Sequence, residues 1–310
     1  MTSSLNPSTF GQSVTFTATV QVSSGSSPTG TVTFLDGATS LGTANLTNSV
    51  AQLSTSTLAA ASHTITAQYS GDANFAGSNS SALTQVVNPV TSSGLVIDVQ
   101  VYGDQSTTKS TVTTASFSST SRNELLLAFV ATDSTSGSNT TVNSVTGGGL
   151  TWVLVLRSNK QKGTSEIWRA FASSTLTNAV VTATLSHSVV SSLTVVSFSG
   201  VNTSGTNGSG AIGATTSANA GSGAPTAKLV TTHNNSWVFG VGNDFDNAIS
   251  RTLGAGQALV HQYLTATGDT YWVQRQNAPT PLSGTSVNIN DTAPTGDRYN
   301  LAICEILPAP

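Results

Sequence analysis

The chain is poor in charge. Of its 310 residues only 7% are Asp, Glu, Lys or Arg, against about a quarter in an average soluble domain. Ten basic residues scattered over that length leave neither the electropositive footprint that nucleic acid demands nor a polybasic membrane patch. Residues 1–90 contain no Lys or Arg at all, which excludes a Lys–Asn or Lys–Asp isopeptide cross-link there because the amine partner is missing. Cysteine is almost absent too. Cys304 stands alone in the apolar run Leu301–Leu307, so no intramolecular disulfide and no cysteine zinc site can form; a free Cys in such a run reads as a small buried hydrophobe. Met1 is the only methionine, and the residues behind it lack the basic and apolar regions of a signal peptide. No stretch approaches the ~20 apolar residues needed to span a bilayer, and no segment of helical length carries a 3.6-residue period.

What is present is Ser, Thr, Asn and Gly at the polar positions and 37% hydrophobic residues in periodic runs. That is enough apolar material for packed cores, and the net charge of −3 argues against disorder. The surface is therefore one of hydroxyls and amides, and the expected fold class is all-β.

Residues 1–90 alternate with a period of two. Val14, Phe16, Ala18 and Val20 face one way between threonines, and Ile65, Ala67 and Tyr69 repeat the pattern, as half-buried strands do. Ser24–Gly30, Asp36-Gly37 and Gly71-Asp72 supply turn chemistry between them, and His63 reads as a surface or cap residue at a strand start. Short strands at this spacing indicate an immunoglobulin-type sandwich. Three stretches are specific: Leu5–Val20, Pro28–Gly37 and Ser62–Phe75. Together they resemble the bacterial Ig-like repeat found in tandem arrays on large secreted and surface proteins. The resemblance implies a spacer or presenting domain with no catalytic site to carry over. It also implies that Met1 falls inside the first strand of a repeat, so the chain is expected to be a piece of a longer, exported array protein. Localisation is accordingly expected to be extracellular or at the cell surface. Residues 91–94, within the Pro-containing stretch Asn88–Gly94, read as a short, semi-rigid linker.

Residues 95–310 repeat themselves. Thr114–Asn123 runs into the apolar stretch Leu125–Val130, and Thr226–Asn235 runs into Trp237–Val241, at an offset of 112 residues. The echo continues from Leu150–Leu156 to Ala258–Leu264, from Gly163–Arg169 to Gly268–Arg275, and from Leu193–Phe198 to Tyr299–Cys304. A period this long suits two halves of one module, about 95–201 and 210–307. The expectation is an internally duplicated, jelly-roll-like β-sandwich of two sheets to which both halves contribute strands; two separate small domains are the alternative. Strands are expected near 95–102, 112–118, 124–132, 150–157, 164–172, 179–186, 191–199, 226–231, 236–242, 257–264, 269–277, 285–290 and 298–307. Leu125–Val130 reads as a strand buried on both faces.

Catalytic chemistry is thin. No Gly-x-Ser-x-Gly elbow or His-Glu-x-x-His motif occurs, and nothing sets Glu124 and Glu166 at the carboxylate spacing of glycoside hydrolysis. The densest polar cluster is Gly242–Ala248, where Asp244 and Asp246 offer oxygen ligands of the kind calcium takes; the plainer reading is a solvated loop with local caps. The segment Gly268–Asn277 places Trp272 and Gln274 on one face and Tyr271 and Arg275 on the other. An aromatic plate beside planar amide and guanidinium groups is a carbohydrate-binding combination, and His261 and Tyr263 lie alongside if the two strands form a hairpin. Core packing of Trp272, like that of Trp152, Trp168 and Trp237, is the plainer alternative.

The leading expectation is a non-catalytic extracellular module: an Ig-like spacer presenting a head that binds polysaccharide or another cell-surface ligand through Tyr271, Trp272, Gln274, Arg275 and His261. No cofactor is required, with calcium at Asp244 and Asp246 as an option. The main rival is a structural subunit that self-associates through strand edges in a fibre, stalk or surface layer, and a polysaccharide-active enzyme is the third choice.

Overall fold

Period-two sequence becomes strand throughout, and no α-helix occurs among the described residues. The structure, a computed structural model, describes residues 1–22, 27–88, 94–135 and 139–310. The chain divides into two units, Met1–Thr91 and Ser92–Pro310. The expected linker at 91–94 lies, but for Gly94, outside the described residues, as does part of the Ser24–Gly30 turn.

The first unit contains β1 (Thr2–Ser3), β2 (Ser8–Thr9), β3 (Val14–Thr19), β4 (Thr31–Asp36), β5 (Thr39–Asn45), β6 (Val50–Thr55), β7 (Ser62–Tyr69), β8 (Ser78–Asn79) and β9 (Leu83–Asn88). They form one sheet of order β1-β3-β6 and another of order β2-β9-β7-β4-β5, with β8 paired to β7. The inward set is the one the alternation predicts: Val14, Phe16 and Ala18 meet Phe34, Ile65 and Tyr69 in one core. Asp72 acts as a turn residue, accepting from Asn74 N (2.8 Å) and Phe75 N (2.9 Å). His63 is less peripheral than its position suggests, because its ring bridges Asp36 Oδ2 (2.7 Å) and Ala59 O (2.8 Å).

The second unit is built twice from one plan. Its first half holds β10 (Val96–Thr113), β11 (Glu124–Thr132), β12 (Val142–Gly147), β13 (Val153–Ser158), β14 (Thr164–Ala172) and β15 (Val181–Ser199). The second half holds β16 (Ile212–Ala220), β17 (Thr226–Val230), β18 (Trp237–Asp244), β19 (Thr252–Leu253), β20 (Gln257–Leu264), β21 (Thr270–Gln276), β22 (Ser286–Ala293) and β23 (Tyr299–Ile306). A six-stranded sheet whose path runs β10-β15-β11-β14-β13, with β12 paired to β15, is matched by a five-stranded one of order β16-β23-β18-β21-β20. β10 and β15 are long enough to turn the corner: their residues 109–113 and 182–189 form a second wing of the same sheet, completed by β12. In the second half separate strands do the same work, as a sheet of order β17-β22-β19. Even the irregularities correspond. The register slips between Ile97 and Gln100 and between Ile212 and Thr215. It slips again between Leu154 and Leu156 and between Leu259 and His261.

The two large sheets then pack face to face. β11 lies over β18, β14 over β23, β15 over β21, β13 over β16 and β10 over β20, so each contact recurs with the halves exchanged, as in an isologous dimer. Leu125, Leu127 and Phe129 enter this common core against Trp237, Phe239 and Val241, with Phe129 and Phe239 at 6.2 Å between ring centroids. Leu126, Ala128 and Val130 face the other way, into the first half's own core. The duplicated sandwich expected from the sequence takes the form of three sheets, the first folding back on itself, which make two sandwiches fused along a shared core. The physical reason lies in β11 and β18: strands apolar on both faces need cover on both faces, which an outer layer on each side provides.

Candidate functional site

β21 alternates as expected, but neither face reaches solvent. Tyr271 is 1% exposed, lies in the common core, and donates its OH to Val190 O at 3.3 Å. Trp272, also 1% exposed, packs in the second sandwich with Val287 and Ile289, and the Arg251 guanidinium sits 4.5 Å from its ring. The aromatic platform expected at these residues is therefore core: each face of the strand is covered by a different sheet. Gln274 is fully enclosed. Arg275 is half-buried, stacks 4.8 Å over the Trp237 ring and donates to Gln276 O (2.8 Å) and Asn277 O (3.1 Å).

The calcium reading is corrected as well. β18 runs on through Asp244, whose carboxylate is buried and paired with the Arg251 guanidinium. Asp246 N donates to Asp244 Oδ1 (2.8 Å), and Asp246 Oδ2 accepts from Arg298 N (2.7 Å). These acids brace a loop, and a guanidinium holds the position a cation would take. No group of three or more His, Cys, Asp or Glu side chains suited to a metal occurs among the described residues.

His261 has a different fate. β20 and β21 do form a hairpin, with His261 opposite Val273 and Tyr263 opposite Tyr271, so His261 faces the first half rather than the second sandwich. There β20 meets β10 at the rim of the stacked sheets. The Tyr102 ring lies parallel to the His261 imidazole, 3.9 Å between centroids with 16° between planes. His261 Nε2 is held by Asp104 at 3.0 and 3.1 Å, and Ser192 Oγ donates to Asp104 Oδ1 at 2.7 Å. Gln100 Nε2 donates to Val260 O (2.8 Å), tying the two strands. Tyr102 remains 51% exposed, so one ring face is braced while much of the side chain meets solvent. Tyr102, Asp104 and Ser192 were missed from sequence. Their signal was the Tyr102-Gly-Asp104 step, which carries no meaning until β10 is known to be an edge strand.

Serine, aspartate and histidine meet here without forming a catalytic triad. The serine donates to the aspartate and not to the imidazole, so no base faces its hydroxyl. Carboxylates are no better placed. Glu166 pairs with Val130 while Glu124 pairs with Ala172 on the same two strands, a separation of about 20 Å at ~3.4 Å per residue. Asp98 does approach Glu124, and burial followed by that neighbouring carboxylate pushes Glu124 up to about 7, but Glu124 is wholly enclosed.

The first unit carries a family signature. Residues 1–88 match the bacterial Ig-like domain (group 3). No curated protein and no solved structure matches the chain. The Ig-like module is of a kind common on bacterial surface proteins and is typically non-enzymatic, and no helix among the described residues is long and apolar enough to cross a membrane.

Proposed function

We propose that the chain is a non-catalytic extracellular module in which the Ig-like spacer presents a duplicated β-sandwich head, and that the head binds polysaccharide at the Tyr102–His261 rim. The observation that carries this reading is the braced, half-exposed Tyr102 ring beside the Asp104 carboxylate. Sugar C–H faces stack on an aromatic ring, and their hydroxyls pair with a carboxylate that still has open acceptor positions. A ring already stacked on a fixed imidazole loses little freedom on binding. The near-absence of surface charge suits a neutral, hydrated ligand.

The test is a glycan-array and insoluble-polysaccharide pull-down of the 310-residue chain beside its Tyr102→Ala variant. Saturable binding that the variant loses, with its melting temperature unchanged, supports the rim. Binding that survives the substitution removes it. Absence of binding in both, together with concentration-dependent assembly in sedimentation, transfers the reading to self-association through strand edges.

A further inference from the structure

The second sandwich is open along one flank. A three-stranded sheet covers a five-stranded one, and at the uncovered ends of β20 and β21 runs a groove of about 400 Å³, within the range of small-molecule sites, ~300–1,000 Å³. Gln257 and Gln276 lie opposite each other in register. They share the face that carries Trp272 toward the small sheet, and Ser286, Val287, Asn288 and Asn290 of β22 stand across from them. Among the lining residues none is charged.

The groove is preformed. Gln257 Nε2 donates to Asn290 Oδ1 (2.9 Å) while Asn290 N donates to Gln257 Oε1 (3.1 Å). Gln276 Oε1 accepts from Val238 N (3.2 Å) and Thr280 Oγ1 (3.1 Å), which fixes its amide. One step inward along the same face of β21 stands Gln274. It is fully enclosed beneath the groove floor and faces the buried Asp291 carboxylate.

We propose that this flank is a second binding site of the head, for a neutral, hydroxyl-rich ligand: the end of an uncharged glycan chain. Charged ligands would lose hydration with no ion partner in return, and apolar ones would leave the amides unpaired. A sugar hydroxyl both donates and accepts, as the Gln and Asn amides do. The site is separate from the rim and does not depend on it.

Titration calorimetry of the full chain carrying Tyr102→Ala isolates the groove. The probes are xylohexaose, cellohexaose and maltohexaose, with hexagalacturonate as the charged control. At least one neutral probe is expected to bind saturably and hexagalacturonate is not. Ser286→Trp, which fills the groove at an exposed position, and Asn288→Ala are each expected to weaken binding at least tenfold with melting temperature preserved. Absence of neutral-probe binding, equal affinity for hexagalacturonate, or indifference to both Ser286→Trp and Asn288→Ala would each overturn the proposal.

Discussion

The two sandwiches of the second unit share strand order, packing and bulges, yet their polar interiors are built on opposite terms. The register that sets Thr132 against Thr164 sets Asp244 against Thr270, so Glu166 and Trp272 occupy equivalent positions. In the first sandwich the Glu166 carboxylate accepts from Arg157 Nε (2.7 Å) and Nη2 (3.1 Å), Val142 N (2.8 Å), Trp168 Nε1 (3.0 Å) and Thr164 Oγ1 (3.2 Å). In the second an arginine again covers the position, but over an indole instead of a carboxylate. The acids have moved to Asp244 and Asp291, Asp291 lies beside Gln274, and Trp272 Nε1 and two Arg251 nitrogens lack hydrogen-bond partners. A duplicated backbone can thus be kept while its buried polar network is rewritten.

The sharpest way to break that comparison is to remove each arginine. Arg251→Met should cost about 3–5 kcal/mol, since it strands the buried Asp244 carboxylate without its counter-charge. Arg157→Met should cost less, about 1–3 kcal/mol: Glu166 keeps three other donors, and the Arg157 side chain is 31% exposed. Denaturant midpoints of the two variants test the ranking; equal losses would mean that the other donors around Glu166 do not share its charge.

Acidity provides the next test. Burial, against the opposing pull of Arg251, pushes Asp291 up from 3.8 to about 7. The folded protein therefore holds a proton that the unfolded chain releases near pH 4. Stability from this group is fully present below pH 4 and is lost as pH rises through 7, at about 1.4 kcal/mol per pKa unit. Asp291→Asn, neutral at every pH, should flatten this part of the profile and melt above the parent at pH 8. A variant with the parent's slope would show that Asp291 does not carry the effect.

These buried polar groups also explain what sequence could and could not reveal. The Ig-like module was legible almost residue by residue, because each strand has one wet and one dry face and alternation reports which is which. The duplication and the central position of Leu125–Val130 were legible too. The site was not. In β21 the polar Thr270 and Gln274 alternate as if one face met water, yet that face is the interior of a sandwich with a polar core. Asp244 resembles a loop ligand only because its arginine partner arrives from seven residues downstream. β16, an edge strand of small and hydroxylated residues, and β19, of two residues, carry too little apolar alternation to be seen.

The mildest test concerns a swap between the halves. Leu125 opposes Phe198 as Trp237 opposes Ile306, so Glu124 and Ser197, each one residue earlier in its strand, correspond to Ser236 and Glu305, and in both halves the Glu meets the Ser. The carboxylate has changed strands while the Glu–Ser pair has stayed. Its surroundings decide its charge. At Glu305, burial pushes the carboxyl up, but Ser236, Ala214 N and Thr232 together hold it below its ordinary value; at Glu124 burial and Asp98 prevail, and it rises to about 7. Glu305→Gln should therefore cost about 2 kcal/mol at neutral pH, the scale of a hydrogen-bonded charge, and less on acidification as the parent's own carboxylate is protonated. Glu124→Gln should leave stability at pH 5 within about 0.5 kcal/mol and raise it at pH 8, where the parent must ionise Glu124 beside Asp98. Melting curves of both variants at the two pH values decide the matter: opposite pH trends mark the exchanged carboxylates as charged in one half and neutral in the other, and parallel trends would show that they are held alike.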